Sequence, residues 1–153
     1  MYKPILCVDF DGVIHSYTSG WKGPRLIPDP PVEGAIEFLI EAQQVFSVAI
    51  YSSRSRYFLG RRAMKQWLLK HFVAMCPDYE TAPQLLKDLI IEVAFAEPWE
   101  DEVKYAAKKF IAAIDFPLQK PPAFLQLDDR AITFTGQFPT NQEMKAFKPW
   151  NKK

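Results

Sequence analysis

Apolar residues fall along the chain in two kinds of run, and the two kinds alternate. Pro4-Ile5-Leu6-Cys7-Val8, Val45 to Tyr51 and Ala123 to Leu127 are apolar at almost every position. A short run without polar alternation predicts a strand buried on both faces, as in a parallel sheet. The other kind repeats at helical spacing. Val32, Ile36, Leu39 and Ile40 share one face, with Glu33, Glu37 and Glu41 on another. Asp29, ahead of Pro30 and Pro31, reads as the N-cap of this helix. Gly60, Met64, Trp67, Leu68 and His71 predict a second helix, whose Arg61, Arg62 and Lys65 point elsewhere. Phe72–Met75 fits its end or a short strand. Thr81 reads as the N-cap of a third helix carrying Leu86, Leu89, Ile90 and Val93. A fourth, after Pro98, carries Val103, Ala106, Ala107, Phe110 and Ile111. Ile114-Asp115-Phe116 and Ile132–Thr135 predict short strands, and Asn141–Phe147 a closing helix.

Strands alternating with helices predict an α/β fold with a mostly parallel sheet and helices on its faces. At 153 residues the chain is long enough for one domain, 1–153, with its own core. Residues 13–30, rich in Ser, Thr, Gly, Pro and aromatics, read as a loop excursion. Residues 72–98 are longer than a minimal connection requires and read as a small helical addition.

The net charge of +1 exerts no global pull toward nucleic acid or anionic membrane. Two cysteines, Cys7 and Cys76, cannot build a disulfide scaffold. No apolar run approaches the ~20 residues of a membrane helix, and no signal peptide opens the chain. A cytoplasmic protein that does not enter membranes is expected. The average conceals strong local charge. Residues 42–77 hold six bases and no acid, whereas residues 78–102 hold eight acids and one base. Four of the nine aspartates stand as two pairs, Asp9 with Asp11 and Asp128 with Asp129.

Both pairs lie just past predicted strands, as does Ser52. In parallel α/β sheets ligands bind beyond the carboxyl ends of the strands, so these residues are expected in one crevice. Four carboxylates repel one another unless a cation sits among them, and hard oxygen ligands favour Mg2+ with a substrate phosphate oxygen. A carboxylate aimed at phosphorus can form an aspartyl-phosphate. A second carboxylate two residues on can protonate the leaving oxygen and later activate water. A hydroxyl and a lysine are needed for the remaining phosphate oxygens, and Ser52 and Lys120 are placed to supply them.

These residues resemble the haloacid dehalogenase (HAD) superfamily of phosphohydrolases. Val8-Asp9-Phe10-Asp11-Gly12-Val13 looks like its first motif and Val48-Ala49-Ile50-Tyr51-Ser52 like its second. Lys120-Pro121 looks like its third motif and Leu127-Asp128-Asp129 like its fourth, all in the family's order. The resemblance implies a three-layer, Rossmann-like domain and Mg2+-dependent phosphoryl transfer. In that reading Asp9 is the nucleophile, Asp11 the general acid/base, Ser52 the phosphoryl-binding hydroxyl and Lys120 the stabilising cation. Asp9, the main-chain carbonyl of Asp11, Asp128 and the helper Asp129 hold the metal. Residues 13–30 correspond to the family's small flap. Little room remains for a large cap, which implies a small, capless or minimally capped type. An open site suits a phosphorylated small molecule, a nucleotide or a nucleic-acid end.

Blander readings stand beside these. Taken alone, Asp9 and Asp11 also fit turn and cap positions, a reading that Asp128-Asp129 and Ser52 in register weaken. Lys104, Lys108 and Lys109 compete with Lys120. Ser53, Arg54 and Arg130 are candidates for substrate contact, but an arginine that bridges the carboxylates structurally fits the same positions. His15 fits a substrate contact or a plain loop histidine, and Tyr17 and Trp21 either stack on a base or sugar or anchor the loop. Cys7 reads as a buried strand residue rather than a reactive thiol. Two alternatives to hydrolysis share the fold: a phosphotransferase, and a non-catalytic accessory protein.

Overall fold

A computed structural model describes residues 2–93 and 98–152. Residues 94–97 of the 72–98 segment, and the side chain of Val93, lie outside what it describes.

The chain forms a mixed α/β structure around a small parallel sheet. Strand β1 (Ile5–Val8) is flanked by β2 (Ser47–Ile50) and β3 (Leu125–Leu127), giving the order β2-β1-β3. Leu6 is in register with Val48 and Leu125, and Val8 with Ile50 and Leu127, so all three strands end at one level. Asp115 adds a single bridge beside β2, where Ile50 N–H donates to Asp115 O and Asp115 N–H to Val48 O. The expected strand at Ile114–Phe116 is thus reduced to one paired residue.

The helices are α1 (Ala35–Val45), α2 (Phe58–Ala74), α3 (Gln84–Val93), α4 (Trp99–Ala112) and α5 (Asn141–Ala146). The alternative strand at Phe72–Met75 is the end of α2. Ile36, Leu39 and Ile40 of α1, Met64, Leu68 and Phe72 of α2, Leu86 and Ile90 of α3, and Ala107 and Phe110 of α4 form the core with β1 and β2. Phe72 apart, these are the positions the helical spacing selects. Gly60 is required at a close approach: a Cβ there would collide with the carbonyl oxygen of Arg54.

The structure corrects several expectations. Asp29 does not cap α1, which begins after Gly34 in the left-handed conformation (φ 77°). Asp29 is buried and accepts instead from the N–H and hydroxyl of Ser19. Thr81 does not cap α3, because its N–H and hydroxyl both donate to Asp78. Ile132–Thr135 forms no strand; nothing pairs with it and its side chains are exposed. The third apolar run is a strand, but not one buried on both faces. Leu125 and Leu127 are exposed, so among the described residues this edge of the sheet is left without a covering layer. Among the described residues no helix is long and apolar enough to cross a membrane.

Candidate active site

The register of the sheet brings the chemistry together. Asp9 follows β1, Ser52 lies just past the end of β2 and Asp128 follows β3. The backbone carries the pairing one step beyond the strands, with Asp9 N–H donating to Leu127 O and Tyr51 N–H to Val8 O. Above these ends opens a crevice of about 320 Å³. Asp9, Asp11 and Asp128 line it together with Ser52, Ser53 and Lys120. Tyr17, Tyr51, Gln126 and Arg130 complete the wall.

Carboxylate oxygens of Asp9, Asp128 and Asp129 lie within 4.8 Å of one another. Each is held differently. Asp9 Oδ1 accepts the N–H of Phe10 (2.8 Å). Asp128 is oriented by Arg130 N–H (2.8 Å) and the Gln126 side-chain amide (3.1 Å). Asp129 is buried against Gly12, and neither of its oxygens has a hydrogen-bond partner. Gly12 has φ +91°, which favours glycine, and a Cβ there would displace the Asp129 carboxylate. Burial pushes the Asp9 carboxyl up to about 7, with the neighbouring Asp128, Asp129 and Asp11 adding to the rise and the Phe10 N–H opposing it. Burial also raises Asp129, with Arg130 opposing and Asp128 reinforcing. Buried carboxyl oxygens with no donor are rare because they sacrifice their hydration without replacement. An all-oxygen cluster of this kind fits a hard divalent cation such as Mg2+.

Asp11 behaves differently. Its backbone follows the same motif, but its carboxylate turns toward the root of the 13–30 loop. Arg54 Nε donates to both its oxygens (2.9 and 3.1 Å), and His15 Nδ1 lies 2.8 Å from Oδ1. His15 is fully buried, and its Nε2 accepts Asp29 N–H (3.2 Å), which places the ring proton on Nδ1. Burial would raise Asp29, but the Ser19 hydroxyl and N–H overcome it and hold this carboxyl below its usual range.

Arg54, also fully buried, ties this network to the loop. Nη1 donates to the carbonyls of Gly23, Pro24 and Leu26 (2.9, 3.0 and 3.2 Å), and the guanidinium lies 4.8 Å from the Trp21 ring centroid. Of the two readings of Arg54, the bridging one describes its contacts; its side chain does not line the crevice. Trp21 packs on Arg54, whereas Tyr17 faces the crevice.

The remaining candidates separate cleanly. Ser52 lines the crevice; its Oγ accepts Arg54 N–H (3.0 Å), and the turn closes through Ser52 N–H to Ser55 Oγ (3.0 Å). Ser53 is exposed at the rim. Of the four competing lysines, Lys120 lines the crevice. Lys104 sits 3.8 Å from Asp101, Lys109 lies over Tyr105, and Lys108 lines a groove with Lys65. Gln126 and Asp29 were missed by sequence reading. The two-residue period of a strand puts Gln126 on the side of Asp128, a signal sufficient to find it. No local signal marks the Asp29 contact with His15, which spans 14 residues.

No family model matches the chain, and no curated protein or solved structure does so either. The site therefore rests on its own geometry.

Proposed function

We propose that this chain is a Mg2+-dependent phosphatase of HAD-like, three-layer Rossmann-like architecture, hydrolysing a phosphate monoester through an aspartyl-phosphate. The observation that carries this reading is the convergence of Asp9, Asp128 and Asp129 within 4.8 Å at the ends of adjacent parallel strands, with Ser52 and Lys120 lining the same crevice. Asp9, Asp128 and Asp129 would hold the cation, whose chemistry is to neutralise charge on the phosphoryl oxygens. The Asp129 oxygens, buried without donors, support that assignment.

The chain's own residues do the rest. One Asp9 oxygen attacks phosphorus, an Asp9–phosphorus bond forms, and the ester P–O bond breaks. The leaving oxygen takes a proton from Asp11. Water then attacks phosphorus and gives its proton to Asp11, and the bond to Asp9 breaks to release phosphate. Ser52 and Lys120 bind the phosphoryl oxygens as charge builds on them. Arg54 and His15 occupy the Asp11 carboxylate, so its proton transfers require one oxygen to come free of Arg54.

The test is hydrolysis of an aryl phosphate by the purified chain. Turnover should require Mg2+, stop on chelation, and fall by about 1,000-fold or more in Asp9→Asn, as for loss of a nucleophile. Activity surviving Asp9→Asn refutes the nucleophile. Phosphate passed to an added alcohol rather than water identifies a phosphotransferase, and Mg2+ binding without any turnover an accessory protein.

A further inference from the structure

Tyr17 is unusual on several counts. It is the one non-glycine among the described residues with a positive φ (58°), a conformation that is uncommon outside glycine and is held by the structure around it. Its side chain lines the crevice wall. The buried His15 ring supports it edge-on (centroids 5.9 Å apart), and the Arg130 guanidinium lies 5.8 Å from its centroid. The Arg130 side chain is half exposed, and its Nε is 3.9 Å from Asp129, beyond a close ion pair. The crevice thus carries carboxylates, hydroxyls and a lysine and, in the same wall, an aromatic ring with a long cationic side chain beside it. A phosphoryl group uses charges and hydroxyls; it has no use for an aromatic wall. At about 320 Å³ the space lies at the lower end of small-molecule sites, which run from about 300 to 1,000 Å³, and exceeds what one phosphate fills.

We propose that Tyr17 and Arg130 form a stacking subsite for a planar ring on the leaving group, so that the substrate is a nucleoside phosphate, free or at the end of a nucleic-acid strand. This rests on the phosphatase reading above. The ring lies on Tyr17, and Arg130 moves from Tyr17 to cover the ring's outer face. Aromatic side chains and guanidinium planes both stack on nucleobases, and do so with little dependence on which base is present. The subsite therefore selects for a base without choosing among bases.

The experiment compares three substrates with Mg2+: a nucleoside monophosphate, a terminally phosphorylated oligonucleotide and glycerol phosphate, which has no ring. The full chain should show a lower KM for the ring-bearing substrates. Tyr17→Ala should reduce that preference by at least about fivefold, the lower bound for loss of one stacking partner, and Tyr17→Phe should retain it. The preference is a ratio, so partial misfolding, which lowers all rates together, does not imitate the effect. Equal KM values for glycerol phosphate and nucleotide, or a preference unchanged in Tyr17→Ala, overturns the subsite. A preference confined to the mononucleotide or to the oligonucleotide identifies the source of the ligand. If no phosphate is hydrolysed, the phosphatase reading fails. The subsite is then decided by equilibrium binding of the nucleoside monophosphate, which Tyr17→Ala must weaken by a similar factor or the proposal falls with it.

Discussion

Two groups of aspartates, Asp11 with Asp29 and Asp9 with Asp129, are treated in opposite ways. Asp11 and Asp29 are saturated: Arg54, His15 and Ser19 supply donors to their oxygens, and the network locks the 13–30 loop to the core. Asp9 and Asp129 are starved. Asp9 has one backbone donor and Asp129 has none, and burial raises both. The same side chain is thus tied into the fold where the protein supplies its donors and, in the function proposed above, is left for a cation where it does not. Proximity in sequence says nothing about which; Asp9 and Asp11 come from one motif and belong to different groups.

The sharpest way to break this distinction is at Arg54. Removing one partner of a buried ion pair strands the other charge, which costs about 3–5 kcal/mol. Arg54→Ala leaves Asp11 buried and unpaired from its guanidinium and releases three loop carbonyls. Thermal melting should show a loss of about 10 °C or more, at about 2–4 °C per kcal/mol for a chain of this size. A loss near zero would mean that Asp11 is as exposed to solvent as an ordinary surface carboxylate, and the contrast between the two groups would collapse. Arg54→Lys tests the fork: a lysine supplies charge without the geometry that reaches two carboxylate oxygens and the loop at once, so it should recover only part of the loss.

The helices and the inner strands were legible because burial imposes periods that no neighbour can disguise. Ile36, Leu39 and Ile40 had to face inward, and β1 and β2, apolar but for the exposed Ser47, had to be covered on both faces. Strand β3 shows the limit of that signal. Its apolar run specifies pairing, which it achieves with β1, but whether a helix covers it depends on chain far from the run itself. Ile132–Thr135 carries the same strand-like composition and has no partner. Capping was misread for a related reason: Asp29 and Thr81 are competent caps, but His15, Ser19 and Asp78 offer them other partners. At the site, residue types and order located the crevice. The direction in which Asp11 and Arg54 turn was not readable, since two residues of reach beyond Ser52 allow an arginine to enter the crevice or to cross beneath it.

The starved group can be tested through pH and Mg2+ together. A carboxyl harder to ionise in the folded chain binds more protons there than unfolded, so stability falls as pH rises through the window between the two values. For Asp9 that window runs from 3.8 to about 7. Across it the metal-free chain should lose stability relative to Asp9→Asn, which carries no titrating group at this position. Mg2+ prefers the ionised carboxylates, so its stabilising effect should grow over the same window. At 100 times its Kd the gain is about 2.7 kcal/mol. Asp129→Asn should stabilise the metal-free chain and diminish the Mg2+ effect. Melting curves from pH 4 to 8, with and without Mg2+, read both. A pH difference of opposite sign between wild type and Asp9→Asn would show that Asp9 is not starved of donors.

The smallest expected effect lies at the end of the chain, and it asks whether the loop is held from one side or two. Trp150 Nε1 donates to Gly12 O (2.6 Å) and Asn151 Nδ2 to Ser16 O (3.1 Å), so the last turn is pinned to the motif loop from outside while Arg54 holds it from within. Trp150 is 50% exposed, and water can replace its donor when the bond is lost. A neutral hydrogen bond of this kind contributes about 1 kcal/mol. Trp150→Phe keeps most of the apolar contact and deletes the donor, so its melting temperature should fall by only about 2–4 °C. The segment before it supports so modest a figure: α5 is closed by its own capping box, Thr140 with Glu143, and buries no residue against the rest of the chain. If Trp150→Phe destabilises as much as Arg54→Ala, the anchoring of Gly12 depends on the outer clip as much as on the buried network. Saturation of Asp11 would then no longer be what fixes the loop.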